Sequence, residues 1–112
     1  ILFHVSNFEK LKTFEPLPSS ITIRESSIHG LGLFAIKNIA AKTELGISHI
    51  KDLRFTHGYI RTSLGGFFNH SDIPNCEAIY DGDFIKLKTI TTINSGDEIT
   101  VDYTKHDWIK KD

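Results

Sequence analysis

Hydrophobic residues along this 112-residue chain recur in short runs, separated by polar and glycine-containing stretches. Ile21-Thr22-Ile23-Arg24 alternates with period two, the pattern of a half-buried strand. Leu33 to Ile36 is a brief apolar run after a glycine pair. Glu44 to Ile50 is a weaker strand candidate interrupted by Gly46. Ala78 to Tyr80 and Phe84 to Thr89 flank Asp81-Gly82, which predicts a hairpin because glycine accepts the positive φ of a tight turn. In the second of these runs Ile85 and Leu87 share one face and Lys86 and Lys88 the other, as in a strand with one wet face. Asn94-Ser95-Gly96-Asp97 predicts a further turn. The strand expected from Glu98 to Asp102 puts Ile99, Val101 and Tyr103 on one side by parity. Many brief strands between turns predict a compact, mostly β fold with little helix.

Composition narrows the function. The chain is long enough for one packed core and too short for two. Its formal net charge of −1 lacks the basic excess of a dedicated nucleic-acid binder. No apolar run approaches the roughly 18 residues of a membrane span. A single cysteine, Cys76, excludes an internal disulfide and a Cys-rich zinc cluster; it reads as a small buried residue. Residues 1–19 show no clear period, and Pro16 and Pro18 stiffen their end, so an N-terminal arm is expected to precede a domain at 20–112. The opening residues lack a basic segment, an apolar stretch and a small-residue cleavage site. No signal peptide is therefore expected. The expected location is intracellular: cytoplasmic, or nuclear for a eukaryotic chain or a viral one acting on chromatin.

Three clusters hold the candidate chemistry. In His29-Gly30-Leu31-Gly32-Leu33-Phe34 two glycines permit close backbone approach, or simply a tight turn. The run has no third glycine for a dinucleotide fingerprint and no phosphate-loop lysine. In Phe67-Phe68-Asn69-His70-Ser71, a polar triplet leaves an apolar wall and needs hydrogen-bonding partners if buried. A metal at His70 is not expected, since no second histidine has ligand spacing and no carboxylates cluster beside it. In Gly96-Asp97-Glu98-Ile99-Thr100-Val101-Asp102-Tyr103 a phenol ends an apolar strip, either as a core tyrosine or as a hydroxyl held in a dry site.

Taken together and in this order, the clusters resemble the SET domain family of protein lysine methyltransferases over about Ser20 to Trp108. The first resembles the family's glycine motif. Phe68-Asn69-His70-Ser71 with Pro74-Asn75-Cys76 resembles its Asn-His-Ser motif and trailing Pro-Asn, and the third its terminal tyrosine motif. The resemblance implies small curved sheets and a C-terminal pseudoknot. It implies S-adenosylmethionine as donor and a peptide lysine entering from the opposite side. On the donor side it places His29, Gly30, Leu31, Gly32, Asn69, His70 (through its backbone), Tyr103 and Trp108. Tyr103 becomes the catalytic residue, orienting the amine through its hydroxyl oxygen. No metal is implied: methyl transfer is an in-line displacement that positioning assists.

The substrate channel is expected near Ser48, His49, Tyr59 and Val101. From the residues alone, Ser48 and His49 read as an exposed edge and Tyr59 equally well as turn packing. The chain departs from the family in its short stretch between Ile50 and Gly65 and in lacking a cysteine-rich tail. Specificity then falls to a small surface, to the arm, or to a groove built across a homodimer. Val101 is smaller than the aromatic common at its position, so room for higher methylation states is expected. Leu31 likewise replaces an aromatic. The expected partner is a protein or peptide with an accessible lysine, with no membrane and no nucleic acid. The alternative is a non-catalytic module that holds the donor or a peptide. A metal hydrolase using His29, His70 and Asp102 is disfavoured, because Asp102 lies off the Tyr103 face by parity.

Overall fold

The computed structural model describes residues 15–106. Trp108 and residues 1–14 of the expected arm lie outside the described residues. Eight short strands make three small sheets. β1 (Ile21–Glu25) and β2 (Leu31–Ala35) form an antiparallel pair. β3 (Glu44–Lys51), β4 (Tyr59–Arg61), β6 (Cys76–Asp81) and β7 (Phe84–Thr89) form a sheet in the order β4-β3-β7-β6. β5 (Asn69–His70) and β8 (Thr100–Val101) pair in parallel, with Asn69 opposite Thr100 and His70 opposite Val101. One helical turn, α1 (Ser63–Gly66), and a 3₁₀ turn (Tyr103–Lys105) complete the described residues.

The β6–β7 hairpin closes with Asp81 opposite Phe84, so the two turn residues are Gly82 and Asp83. Gly82 has φ 60°, which glycine adopts without steric cost at the first turn position. On β7 Ile85, Leu87 and Thr89 are buried, as alternation requires. Gly46 is taken into β3 at a register shift, with φ 134°.

The expected strand at 98–102 is divided between two partners. Glu98 bridges to Phe34, and the Ile99 N–H donates to the Leu33 carbonyl at 2.8 Å. Only Thr100 and Val101 then join β5. This late segment therefore links the first sheet to the Asn-His-Ser region, the placement a C-terminal pseudoknot needs. Asn75 holds it there. Its Nδ2 donates to the Glu98 carbonyl at 2.7 Å, and its Oδ1 accepts the Thr100 N–H at 2.9 Å. Leu33, Leu64, Phe68, Leu87, Ile99 and Val101 lie in one core cluster shared by all three sheets. No helix among the described residues is long and apolar enough to cross a membrane.

Candidate active site

Asn69 is where the glycine motif meets the middle of the chain. Its Nδ2 donates to the carbonyls of His29 (3.1 Å) and Leu31 (3.2 Å) and to Glu98 Oε2 (2.8 Å). Ser26 Oγ donates to the same carboxylate, 2.7 Å from Oε1. Glu98 thus receives only neutral donors among the described residues, in a half-buried position. Gly32 is a glycine for the same reason: a Cβ there would run into the Glu98 carboxylate and Ser26 Cβ. The close approach expected at this motif is therefore to Glu98. Glu98 was missed in the sequence, although strand parity sets it with Thr100 on the polar side of the strip.

Tyr103 sits where β8 gives way to the 3₁₀ turn. Its hydroxyl turns inward and donates to the Phe68 carbonyl at 2.6 Å. With its proton committed there, the oxygen keeps its lone pairs as an acceptor. Burial pushes the phenol's pKa up, so it stays protonated at neutral pH. The charge of Arg61 acts in the opposite direction and that of Glu98 adds to burial. The Tyr103 ring meets Phe68 edge-on at 5.9 Å and His70 at 5.3 Å.

Ser48 and His49 correct the exposed-edge reading. They are 0% and 1% exposed. β4 covers one side of β3 and β7 the other, so β3 is an inner strand. The three-residue β4 is too short to announce itself by alternation. Ser48 Oγ donates to the Ile85 carbonyl at 3.0 Å, so it accepts from His49 Nδ1 at 2.9 Å, which places the ring proton on Nδ1. The His49 ring lies 6.1 Å from Tyr59 and 6.3 Å from Phe68. Tyr59, His49, Phe68, Tyr103 and His70 therefore form a continuous aromatic series. Tyr59 also borders an open depression of about 370 Å³ together with Phe55, His57 and Arg61. Val101 lies in the core cluster with Phe68, against which Tyr103 packs, and it also borders a cavity of about 290 Å³ with Cys76, Ile90 and His106.

Burial, with the charge of Arg61 adding to it, holds the His49 imidazole down at about 4, against 6.5 for the free side chain. Between those values the unfolded chain binds more protons than the folded one. Stability is then full above about pH 6.5, declines as pH falls through this window, and levels off below about 4. The loss is on the order of 3 kcal/mol. Urea unfolding of the parent and His49→Asn at pH 4.0 and 7.0 checks this. The variant, which keeps a donor near Ser48, is expected to lose the excess acid sensitivity.

The carboxylates said to be absent around His70 are in fact there. Ligand atoms of His70, Asp72 and Asp102 lie within 4.8 Å of one another. Sequence spacing hides this, because Asp102 arrives through the β5–β8 pairing. His29 is not part of that group. The structure thus brings together His29, Leu31, Gly32 and Asn69 on one side, and His49, Tyr59, His70 and Tyr103 on the other.

Comparison with known proteins agrees with this geometry. The family model described as SET domain matches residues 51–104. Two SET and MYND domain-containing proteins of Dictyostelium discoideum are 46% identical over 37 residues and 42% identical over 41. Those stretches are 33% and 37% of this chain but only 9% and 11% of the relatives. Among solved structures, a Plasmodium falciparum protein provisionally named a histone methyltransferase superposes with TM-score 0.65 at 23% identity. The match covers 84% of this chain and all of that one. The methyltransferase domain of human PR domain-containing protein 2 gives 0.62 at 17% identity, over 76% and 77% of the two chains. Fold and motifs define the class: a SET-type β fold of small sheets around a shared core. Over residues 51–104 the chain is similar to the SET domain family.

Proposed function

We propose that this chain transfers a methyl group from S-adenosylmethionine to the side-chain amine of a lysine in a protein, with Tyr103 as its catalytic residue. The observation that carries this reading is the inward Tyr103 hydroxyl, bonded to Phe68 one residue from the Asn69 that ties down the glycine motif. Three motifs far apart in sequence therefore meet at one place.

The residues present suit a cationic donor. Two backbone carbonyls and the Glu98 carboxylate converge on Asn69, and their partners at Asn69 and Ser26 are neutral. An ammonium and a sulfonium both complement such an acceptor-rich cluster. Bound S-adenosylmethionine would supply an electrophilic methyl on a positive sulfur. The chain's own share is to present the amine without its proton. A lysine ammonium has a free pKa of about 10.4 and no lone pair to attack with. The aromatic series from Tyr59 to Tyr103 disfavours the charged form by desolvation, and Arg61, whose charge reaches both His49 and Tyr103, adds like-charge repulsion. The Tyr103 oxygen, left as an acceptor, holds the neutral amine by its N–H.

Donor binding is the direct test. Titration calorimetry is expected to show a one-to-one complex with S-adenosylmethionine. Gly32→Ala, by pushing Glu98 away from Asn69, is expected to weaken it about tenfold or more, with the melting temperature little changed because a flexible carboxylate can move. Equal affinity in parent and variant would remove Glu98 from the donor side. No heat at all with the parent would favour the peptide-binding module.

A further inference from the structure

We propose that the His70 side chain is a positioning residue for Tyr103: its bare Nδ1 accepts the Tyr103 backbone N–H and thereby fixes where the phenol lies. The inference rests on the reading of Tyr103 as catalytic, and it concerns an atom to which that reading gives no task.

The geometry is specific. The Tyr103 N–H lies 2.9 Å from His70 Nδ1, and the two rings pack at 5.3 Å. A backbone amide can only donate, so Nδ1 carries no proton. The ring proton is then on Nε2, where Asp72 Oδ1 receives it at 2.9 Å. Asp72 therefore selects the tautomer that Tyr103 requires, the way a carboxylate beyond a histidine commonly does.

The bond also falls at a place with little other restraint. The β5–β8 pairing ends at His70 opposite Val101, and Tyr103 opens the 3₁₀ turn two residues later. Asp102 uses its Oδ1 to cap that turn, accepting the Thr104 N–H at 3.0 Å and hydroxyl at 2.6 Å, and stands 3.8 Å from His70 Nδ1. Nothing in the β ladder holds the Tyr103 amide. His70 supplies the missing acceptor, and the Phe68 carbonyl holds the other end of the same residue. Phe68 and His70, on either side of Asn69, thus grip Tyr103 at its hydroxyl and its backbone.

The same proton count argues against the competing use of this cluster. His70, Asp72 and Asp102 are close enough together to suggest a cation. A neutral imidazole has one ring proton. Were Nε2 to ligate an ion, that proton would move to Nδ1 and oppose the Tyr103 N–H. The cluster cannot serve a cation at Nε2 and keep Tyr103 in place.

Two measurements on the full chain decide the matter. Long-range proton–nitrogen correlation spectra read the His70 tautomer without donor or substrate, and amide exchange reads the Tyr103 N–H. The expected results are an Nε2–H ring, at least tenfold faster Tyr103 exchange in His70→Leu, and restored protection in His70→Asn, whose side-chain oxygen can stand near the Nδ1 position. An Nδ1–H ring, or Tyr103 exchange equal in all three proteins, overturns the proposal. In transfer assays His70→Leu is expected to lower kcat about 100-fold with the donor KM within a few-fold, as a misplaced reacting group does. His70→Asn is expected to recover a large part of that loss. An undiminished kcat in His70→Leu also overturns it. A parent protein that shows the tautomer and the exchange effect, yet transfers no methyl to any protein, would instead defeat the methyltransferase reading and leave the His70 bond standing.

Discussion

Tyr103→Phe is expected to fold like its parent and to lose transfer by a factor of about 10²–10³, the usual effect of deleting one group that acts on charge at a reacting centre. The expectation follows from what the hydroxyl does. Its proton goes to the Phe68 carbonyl at 2.6 Å, so in the proposed reaction its oxygen would be the acceptor for the amine. Phenylalanine keeps the ring and its contacts with Phe68 and His70 but presents no oxygen. The structural cost is one hydrogen bond to a carbonyl, about 1 kcal/mol. Circular dichroism and thermal melts should therefore show a small shift, while labelled-donor incorporation falls to near background. Affinity for the donor is expected to hold, so the loss appears in kcat rather than KM. Full activity in Tyr103→Phe would sink the assignment of Tyr103. Absence of activity in the parent would point to a module that binds without chemistry.

Gly65→Ala is expected to be strongly destabilising, costing on the order of 3 kcal/mol or more. An added Cβ would strike the Ser48 carbonyl, a backbone group in the middle of β3, and would come within 3.0 Å of His49 Cε1. That carbonyl cannot swing aside, because it already accepts the Thr62 N–H at 3.0 Å. Relief requires moving α1 off β3, which strains the Thr62 cap and its 2.7 Å bond to the Ile47 carbonyl. Gly66→Ala is the internal control. A Cβ there meets nothing within 4 Å, so the expected outcome lies between no change and about 1 kcal/mol of stabilisation from a less flexible unfolded chain. Chemical denaturation of the two variants side by side checks the contrast. Equal stabilities would show that α1 does not press on β3 as described.

These two glycines mark the limit of reading along the chain. Leu64-Gly65-Gly66 shows two adjacent glycines of identical appearance, and only the fold tells that one touches β3 and the other faces open space. Ser48 and His49 make the same point. Their polarity suggests an exposed edge, yet β4 closes over them, and Ser48 Oγ and His49 Nδ1 bond to each other while Ser48 Oγ also bonds to Ile85. Parity sets Asp102 off the Tyr103 face, and the parallel pairing of β5 with β8 brings its carboxylate to 3.8 Å from the His70 ring. Parity stopped being a guide at Tyr103 because the strand ends there and a 3₁₀ turn begins.

Much of the local structure, and the resemblance to the SET domain family, can be read along the chain. β7, the hairpin around Gly82, the turn at 94–97 and the order of the three motifs are all written in neighbouring residues. Alternation reports the two faces of a strand, and a glycine reports a backbone that only glycine tolerates. Tertiary structure alone decided that the glycine loop, Asn69 and Glu98 share one hydrogen-bonded cluster, and that His70 reaches Tyr103 across 33 residues. Such contacts depend on how separate sheets settle on a common core, and periodicity within one segment carries no information about the distance to another.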